Sequence, residues 1–105
     1  MQVKQETDGD EGIFYLEQHG KRLGEMRYAM VSENEMNIYH TEVAPELQGQ
    51  HMGEKLVEAG VAFAREKDFK ISPSCSFARV TFARNKQYQD VLAWVILYTC
   101  STLWL

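Results

Sequence analysis

The feature of this sequence with the clearest chemistry is a glycine-bearing loop that leads into a long helix. The loop contains Gly49 and Gly53 and follows a turn at Ala44-Pro45-Glu46. A loop of this kind at the start of a helix exposes backbone N–H groups without intrahelical partners, and the helix dipole adds positive charge there. We therefore predict a site for phosphate or another anion at this loop.

Three further side chains could carry acid–base or nucleophilic chemistry. His40 precedes the loop and is of a type that titrates near neutral pH, so it can accept a proton, and Glu42 is a second candidate base. Cys75 follows Pro73 and precedes a predicted helix, whose N-terminus would favour the thiolate. Each also has a structural interpretation: His40 as a strand residue bonded to a neighbour, Glu42 as a solvated carboxylate, and Cys75 as a small buried hydrophobe.

Alternating side chains predict a meander of four antiparallel strands before the loop, over residues 3–6, 13–17, 23–31 and 36–41. In the fourth strand, Met36, Ile38 and His40 are predicted to share one face. After the loop, apolar residues recur at three- and four-residue spacing from 52 to 64, which predicts an amphipathic helix.

Residues 70–75 are predicted to form a fifth strand, and residues 76–84 a short helix. A strand–helix–strand order places the fifth strand parallel to the fourth, with the helix crossing over. The predicted fold class is therefore α+β, with a mixed, mostly antiparallel sheet and flanking helices.

Composition and charge limit the possible functions. A chain of 105 residues forms one domain with a modest core. The net charge of −4 argues against a nucleic-acid partner, which would require a clustered basic face. Cys75 and Cys100 form neither a disulfide framework nor a spacing typical of a metal site, so no metal is predicted and a reducing cytoplasmic location is expected.

The C-terminal segment from 91 to 105 is apolar almost throughout. It is shorter than the roughly 20 residues that a helix needs to cross a bilayer, so no membrane span is predicted. The domain is expected to cover residues 1–92, with the tail at 93–105 packed on the domain or on a partner. A symmetric homodimer that buries the tails is the simplest such arrangement.

Four segments in this order closely resemble the small, single-domain GNAT-like N-acetyltransferases: residues 40–43, 48–53, 73–78 and 88–92. The resemblance covers about residues 2–92. It implies a fold in which the fourth and fifth strands splay apart, with the pantetheine arm of acetyl-CoA between them and the pyrophosphate on the loop and helix N-terminus. It further implies an acetyl-CoA-dependent N-acetyltransferase with a small amine or a lysine side chain as acceptor. The alternative is a non-catalytic acyl-CoA-binding or dimerising module.

The loop departs from the family pattern at one position. That pattern is Arg or Gln, two residues, Gly, one residue, and Gly or Ala. Gln48 and Gly53 match the first and last positions, whereas His51 replaces the middle glycine. A side chain there could crowd the phosphate or force a backbone angle that glycine takes easily, or it could add a donor to the phosphate.

For acetyl transfer, the predicted catalytic residues are Cys75, His40 and Glu42, and the backbone N–H near Val43 is the natural donor to the thioester oxygen. Cys75 would take the acetyl group, protonate the departing CoA thiolate or only line the cleft. The residues predicted to bind acetyl-CoA or coenzyme A are Thr41, Val43, Gln48, Gly49, Gln50, His51, Met52, Gly53, Arg79, Arg84 and Tyr88.

Several of these assignments have an alternative. Arg79 and Arg84 could meet the CoA phosphates or remain solvated at the surface. Tyr88 could close the cleft over the pantetheine arm or simply pack. Phe77 and Phe82 are predicted to belong to the core.

Overall fold

A single sheet of five strands, in the order β1-β2-β3-β4-β5, organises the computed structural model, which describes residues 2–93. The strands are β1 (Val3–Asp8), β2 (Glu11–Gln18), β3 (Lys21–Ser32), β4 (Glu35–Val43) and β5 (Lys70–Pro73). The first four strands pair antiparallel, and β5 pairs parallel to β4. The predicted α+β class, with a mixed and mostly antiparallel sheet, is confirmed.

Two helices and two short 3-10 helices complete the secondary structure of residues 2–93. They are a 3-10 helix at Pro45–Leu47, α1 (Met52–Lys67), α2 (Ser76–Arg84) and a second 3-10 helix at Lys86–Val91. The buried face of α1 packs on the sheet because its small and apolar residues recur with helical spacing. At Gly60 a Cβ would lie 2.8 Å from Met26 Cε, so the glycine allows close approach of helix and sheet. No described helix is long and apolar enough to cross a membrane.

Between Ile38 and His40, strand β4 contains one extra residue relative to β3. Tyr28 lies opposite Ile38, but Arg27 lies opposite His40, so Tyr39 forms a β-bulge. Ile38 is fully buried under α1. The prediction that His40 shares the face of Ile38 is wrong, because the bulge moves every later side chain of β4 to the opposite face.

The side chains after the bulge therefore divide between the two faces of the sheet. Thr41 pairs with Met26, which is fully buried, so Thr41 lies on the face covered by α1. Val43 shares that face. Glu42 pairs with Glu25 on the opposite face, where His40 also lies.

The predicted separation of β4 from β5 is also confirmed. Their pairing ends at Ile38 and Pro73, whereas β4 continues to Val43. The Ile38 carbonyl accepts hydrogen bonds from the N–H groups of Ser74 and Cys75, at 2.9 and 3.1 Å. Beyond this point the chain after β5 turns into α2, and the edge of β4 that faced β5 opens.

The other edge of β5 receives the end of the described chain. Leu92 forms a parallel bridge with Ile71, and the Ala93 N–H donates to the Ile71 carbonyl at 2.8 Å. The predicted apolar tail begins at 93, and residues 94–105 lie outside the described residues. Its packing and the proposed homodimer therefore stay predictions.

An ion pair and hydrogen bonds from Arg65 connect the second 3-10 helix to α1. Arg65 Nε and Nη2 donate to the two carboxylate oxygens of Asp90 at 3.0 and 2.9 Å, and Nη2 donates to the Gln87 carbonyl at 2.6 Å. The hydrogen bond from Arg65 lowers the pKa of Asp90 from its ordinary value. The ionised Asp90 carboxylate therefore stabilises the folded chain.

We expect Asp90→Asn to lower the urea midpoint of unfolding at neutral pH. A carboxyl group whose pKa is lowered by folding contributes stability above its unfolded pKa, near 3.8, and loses that contribution as the pH falls through the folded value. The difference between wild type and variant should therefore shrink below about pH 4.

Glu66→Gln is the matched control, since Glu66 is an exposed carboxylate on the same helix as Arg65. It should leave the urea midpoint nearly unchanged at every pH. A constant difference between wild type and Asp90→Asn across the acid range would contradict the assigned role of Asp90.

Candidate functional site

A cavity of about 430 Å³ opens between the end of β4 and the start of α1. Among the residues predicted to bind the cofactor, those that line it are Thr41, Val43, Gln48, Gly49, His51, Met52 and Gly53. Leu47, Glu54 and Phe77 complete the lining. The cavity therefore brings together the glycine loop and the opened end of β4. Its size is in the range of small-molecule sites.

The loop gives the floor of this cavity a set of unpaired backbone donors. The first helical hydrogen bond of α1 runs from the Lys55 N–H to the His51 carbonyl at 3.3 Å. The N–H groups of Met52, Gly53 and Glu54 therefore precede it without intrahelical partners. Gly49 (φ 82°) and His51 (φ 58°) both adopt left-handed backbone conformations, which shape the loop before the helix.

The aromatic ring of Phe77 packs directly on Gly53. A Cβ at Gly53 would lie 2.5 Å from Phe77 Cζ, so a larger residue would displace the ring. Phe77 is 40% exposed, whereas Phe82 is fully buried. The predicted core position is thus confirmed for Phe82 and wrong for Phe77, because Phe77 lies on the side of α2 that faces the cavity.

Only two ionisable side chains occur among the described lining residues, His51 and Glu54. His51 Nδ1 lies 3.4 Å from Glu54 Oε1, and the His51 side chain is 79% exposed. Arg79 and Arg84 are exposed on α2 and do not line the cavity. No arginine therefore belongs to the part of the cavity lining that residues 2–93 form.

Cys75 does not line the cavity itself but contacts Thr41, which does. It caps the N-terminus of α2, where its Sγ accepts a hydrogen bond from the Ala78 N–H at 3.4 Å. Its Sγ also lies 3.3 Å from Thr41 Oγ1, and either atom can be the donor. Because Thr41 lines the cavity, it links the half-buried thiol to that site.

The other two predicted catalytic residues lie on the opposite face of β4. His40 Nε2 is 3.9 Å from Glu25 Oε2, and one ligand-type atom from each of Glu25, His40 and Glu42 lies within 4.8 Å of the others. Glu25 and Glu42 are directly paired across the strands, an arrangement of like charges that is unfavourable by itself. Arg27 Nε donates to Glu25 at 2.7 Å and offsets part of this repulsion.

A second cavity, of about 210 Å³, lies beside these carboxylates. Glu25, Glu42 and Arg22 contribute to its lining, together with Val43. Val43 lines both cavities, so the two sites approach each other at the end of β4.

Two further predicted cofactor residues do not line the larger cavity. Tyr88 is buried with its ring centroid 5.7 Å from that of Phe82, and burial raises the pKa of Tyr88. This placement favours the packing interpretation of Tyr88. Gln50 is exposed, and its Nε2 donates to the Glu46 carbonyl at 3.0 Å.

Sequence reasoning missed Leu47, Glu54 and Phe77 in the lining of the larger cavity, and Glu25 beside the smaller one. Glu54 follows His51 by three residues at a helix start, and that spacing was a usable signal. Glu25 is brought to His40 only by the pairing of β3 with the bulged strand, so no local pattern indicated it.

The comparisons with known proteins agree with this architecture. The sequence pattern of the family described as GCN5-related N-acetyl-transferase matches residues 13–91. A GCN5-like protein from Staphylococcus aureus, with a structure determined in solution by NMR, is 40% identical, with 90% of this chain and 89% of that chain covered and a TM-score of 0.71. No curated protein sequence matches the chain.

Two larger enzymes share the fold. An aminoglycoside acetyltransferase from an uncultured soil metagenomic sample is 25% identical, with 73% of this chain and 57% of that chain covered and a TM-score of 0.61. A ribosomal-protein alanine N-acetyltransferase from Escherichia coli is 19% identical, with 74% and 53% covered and a TM-score of 0.63. The chain thus spans little more than half the length of these two enzymes. The family match over most of its residues and the 40% identical neighbour show that this chain belongs to the GCN5-related N-acetyltransferases.

Proposed function

We propose that the chain transfers an acetyl group from acetyl-CoA to an amine. The observation that carries this proposal is the 430 Å³ cavity, in which an opened strand edge, a helix N-terminus and the neighbourhood of Cys75 come together. Each of these features suits a different part of acetyl-CoA.

The opened edge of β4 suits the pantetheine arm. Pairing with β5 ends at Ile38, so no described strand pairs with that edge over the last residues of β4. A strand presents N–H and C=O groups to each side in turn, and an extended chain that contains amides can bond them as another strand would. One of these unpaired groups, the Val43 N–H predicted from the sequence, would serve as donor to the thioester oxygen.

The start of α1 suits the pyrophosphate. Three successive N–H groups, from Met52 to Glu54, converge at the positive end of a sixteen-residue helix. Gly53 leaves this helix start without a side chain, and a Cβ there would lie 2.5 Å from Phe77 Cζ. The backbone of the loop therefore fits a phosphate-bearing ligand.

Acetyl-CoA, when bound, supplies the acetyl group as a thioester. Cys75 then has a role that depends on the route, which is either covalent transfer or direct transfer. As a nucleophile, the Cys75 sulfur would bond to the acetyl carbon while the bond from that carbon to the CoA sulfur breaks, and the proton lost by the Cys75 thiol would pass to the leaving CoA sulfur. Attack by the amine on the acetyl-cysteine would then form the amide, and the proton lost by the amine would restore the Cys75 thiol. In direct transfer, its S–H would instead protonate that sulfur or only line the cleft.

The amine is proposed to approach from the open face of the sheet. His40, Glu42 and Glu25 give that face negative charge and potential proton acceptors, and the smaller cavity beside them adjoins the larger one at Val43. A protonated amine would be attracted there and would lose its proton to His40 or Glu42 before attack. A small alkylamine or a lysine side chain meets this description.

The alternative function is a non-catalytic acyl-CoA-binding module. The observation that favours it is the left-handed backbone of His51 (φ 58°, ψ 27°), a conformation that glycine adopts more easily than histidine. This alternative keeps the cofactor cavity but assigns no catalytic role to Cys75, His40 or Glu42. The cytoplasmic location and the dimer remain predictions under either function.

Gly53→Val tests the cofactor site. Calorimetric titration should show acetyl-CoA binding by the wild type and at least a roughly tenfold weaker affinity for the variant, because the valine side chain displaces Phe77 and covers the helix N-terminus. Ala62→Val, at an exposed position of the same helix, is the matched control and should bind like the wild type. Absence of binding by wild type and control alike would refute both functions.

Cys75→Ala tests the route of transfer. If Cys75 carries the acetyl group, wild-type protein mixed with acetyl-CoA alone should gain one acetyl group on the peptide that contains Cys75, and the variant should lose turnover with amines. Cys100→Ala serves as the control for thiol modification. Turnover by Cys75→Ala at the wild-type rate would exclude the covalent route.

His40→Gln tests the proton acceptor on the open face. Loss of general-base assistance should lower kcat by roughly 100-fold with an ammonium-bearing substrate while acetyl-CoA affinity is unchanged. An equal loss of acetyl-CoA affinity would show that His40 supports the cofactor site instead.

A further inference from the structure

We propose that His51, in its protonated form, is the charge partner of the cofactor pyrophosphate, and that CoA binding is therefore coupled to proton uptake at this imidazole. The inference rests on the proposed cofactor site. It assigns a function to the one side chain that departs from the glycine pattern of the loop, and it predicts how affinity depends on pH.

Two ionisable side chains set the charge of the cavity lining. Its described lining contains Glu54 as the only acidic side chain and His51 as the only side chain that can become cationic. With a neutral imidazole, the lining therefore has a net charge of −1, which opposes an anionic ligand. Protonation of His51 brings the lining to neutrality. The unpaired N–H groups of α1 then act on the phosphate without an opposing net charge.

The imidazole of His51 lies at the start of α1. His51 Nδ1 lies 3.4 Å from Glu54 Oε1, at the residue directly before α1. The side chain is 79% exposed, so it stands at the rim of the cavity and does not fill its floor. The ring can therefore pair with Glu54 and stay accessible to a ligand in the cavity.

The backbone of the loop is left-handed at His51. His51 adopts φ 58°, so the chain keeps the left-handed conformation that a glycine would supply at this position. His51 in this conformation places an ionisable group in the loop directly before α1.

Other charged groups nearby are placed differently. Glu46 Oε2 lies 3.7 Å from Lys21 Nζ, and this pair does not line the cavity. The ionisable groups on the neighbouring elements that lie outside the lining are Lys55, Glu58, Arg65, Glu66 and Lys67 on α1, Arg79 and Arg84 on α2, Glu35, Tyr39, His40 and Glu42 on β4, and Cys75 before α2. His51 and Glu54 are therefore the pair whose ionisation changes the charge of the described cavity wall.

Dephospho-CoA is the probe of choice. It retains the pyrophosphate but lacks the 3′-phosphate of CoA, which itself titrates near pH 6. Titration calorimetry at about pH 6 and about pH 8, on either side of the ordinary imidazole range, would give the dissociation constants. Repeating each titration in two buffers with different ionisation enthalpies would give the number of protons taken up.

Wild-type protein should bind dephospho-CoA several-fold more tightly at about pH 6 than at about pH 8, with net proton uptake between these limits. His51→Gly should remove both the pH dependence and the proton uptake. His19→Gly is the matched control, because His19 is an exposed histidine with a similar left-handed backbone (φ 54°) in the turn between β2 and β3. It should behave like the wild type in every titration.

Glu54→Gln separates charge from strain. It removes the opposing carboxylate, so it should tighten binding at about pH 6 and about pH 8 alike, with the proton uptake at His51 retained. Tighter binding by His51→Gly at both pH values would overturn the proposal and show that the imidazole crowds the site. Wild-type binding without proton uptake would also overturn it. If neither wild type nor His51→Gly binds at any pH, the cofactor site itself is refuted, a result distinct from loss of the proton linkage alone.

Discussion

The one extra residue in β4 is the constraint on which the site depends. Tyr39 shifts the register between β3 and β4, so buried Ile38 and the half-buried Thr41 face α1 although their positions differ by an odd number of residues. The same shift turns His40 and Glu42 to the uncovered face. Without the bulge, the prolonged alternation would bury these two polar residues beneath α1 and would remove Thr41 from the cavity.

The parallel pairing of β4 with β5 adds the second condition. It ends at Ile38 because the next residues of the β5 segment turn toward α2, with Ser74 and Cys75 sharing the Ile38 carbonyl. The end of β4 is therefore left with an open edge on one side, while β3 continues to pair with the other. The same turn brings the Cys75 thiol to Thr41. An opened strand edge and a positioned thiol thus have one structural cause.

The candidate cofactor cavity depends on backbone groups much more than on charged side chains. A helix N-terminus and an unpaired strand edge provide donors whose positions are fixed by the secondary structure itself. Such donors can bind an anion without an arginine, and Arg79 and Arg84 both lie outside the cavity lining.

The sequence by itself determined the strands, the crossover helix and the glycine loop, because side-chain periodicity and glycine content act locally along the chain. It also placed most of the residues that line the larger cavity, since these are contiguous around the loop. Only the tertiary structure decided that His40 and Glu42 face away from Thr41 and that Glu25 joins them, because a bulge and a strand register are set by pairing between segments. It likewise decided that Phe77 covers Gly53 while Tyr88 packs in the core, since the contacts of a short helix depend on the surface against which it docks.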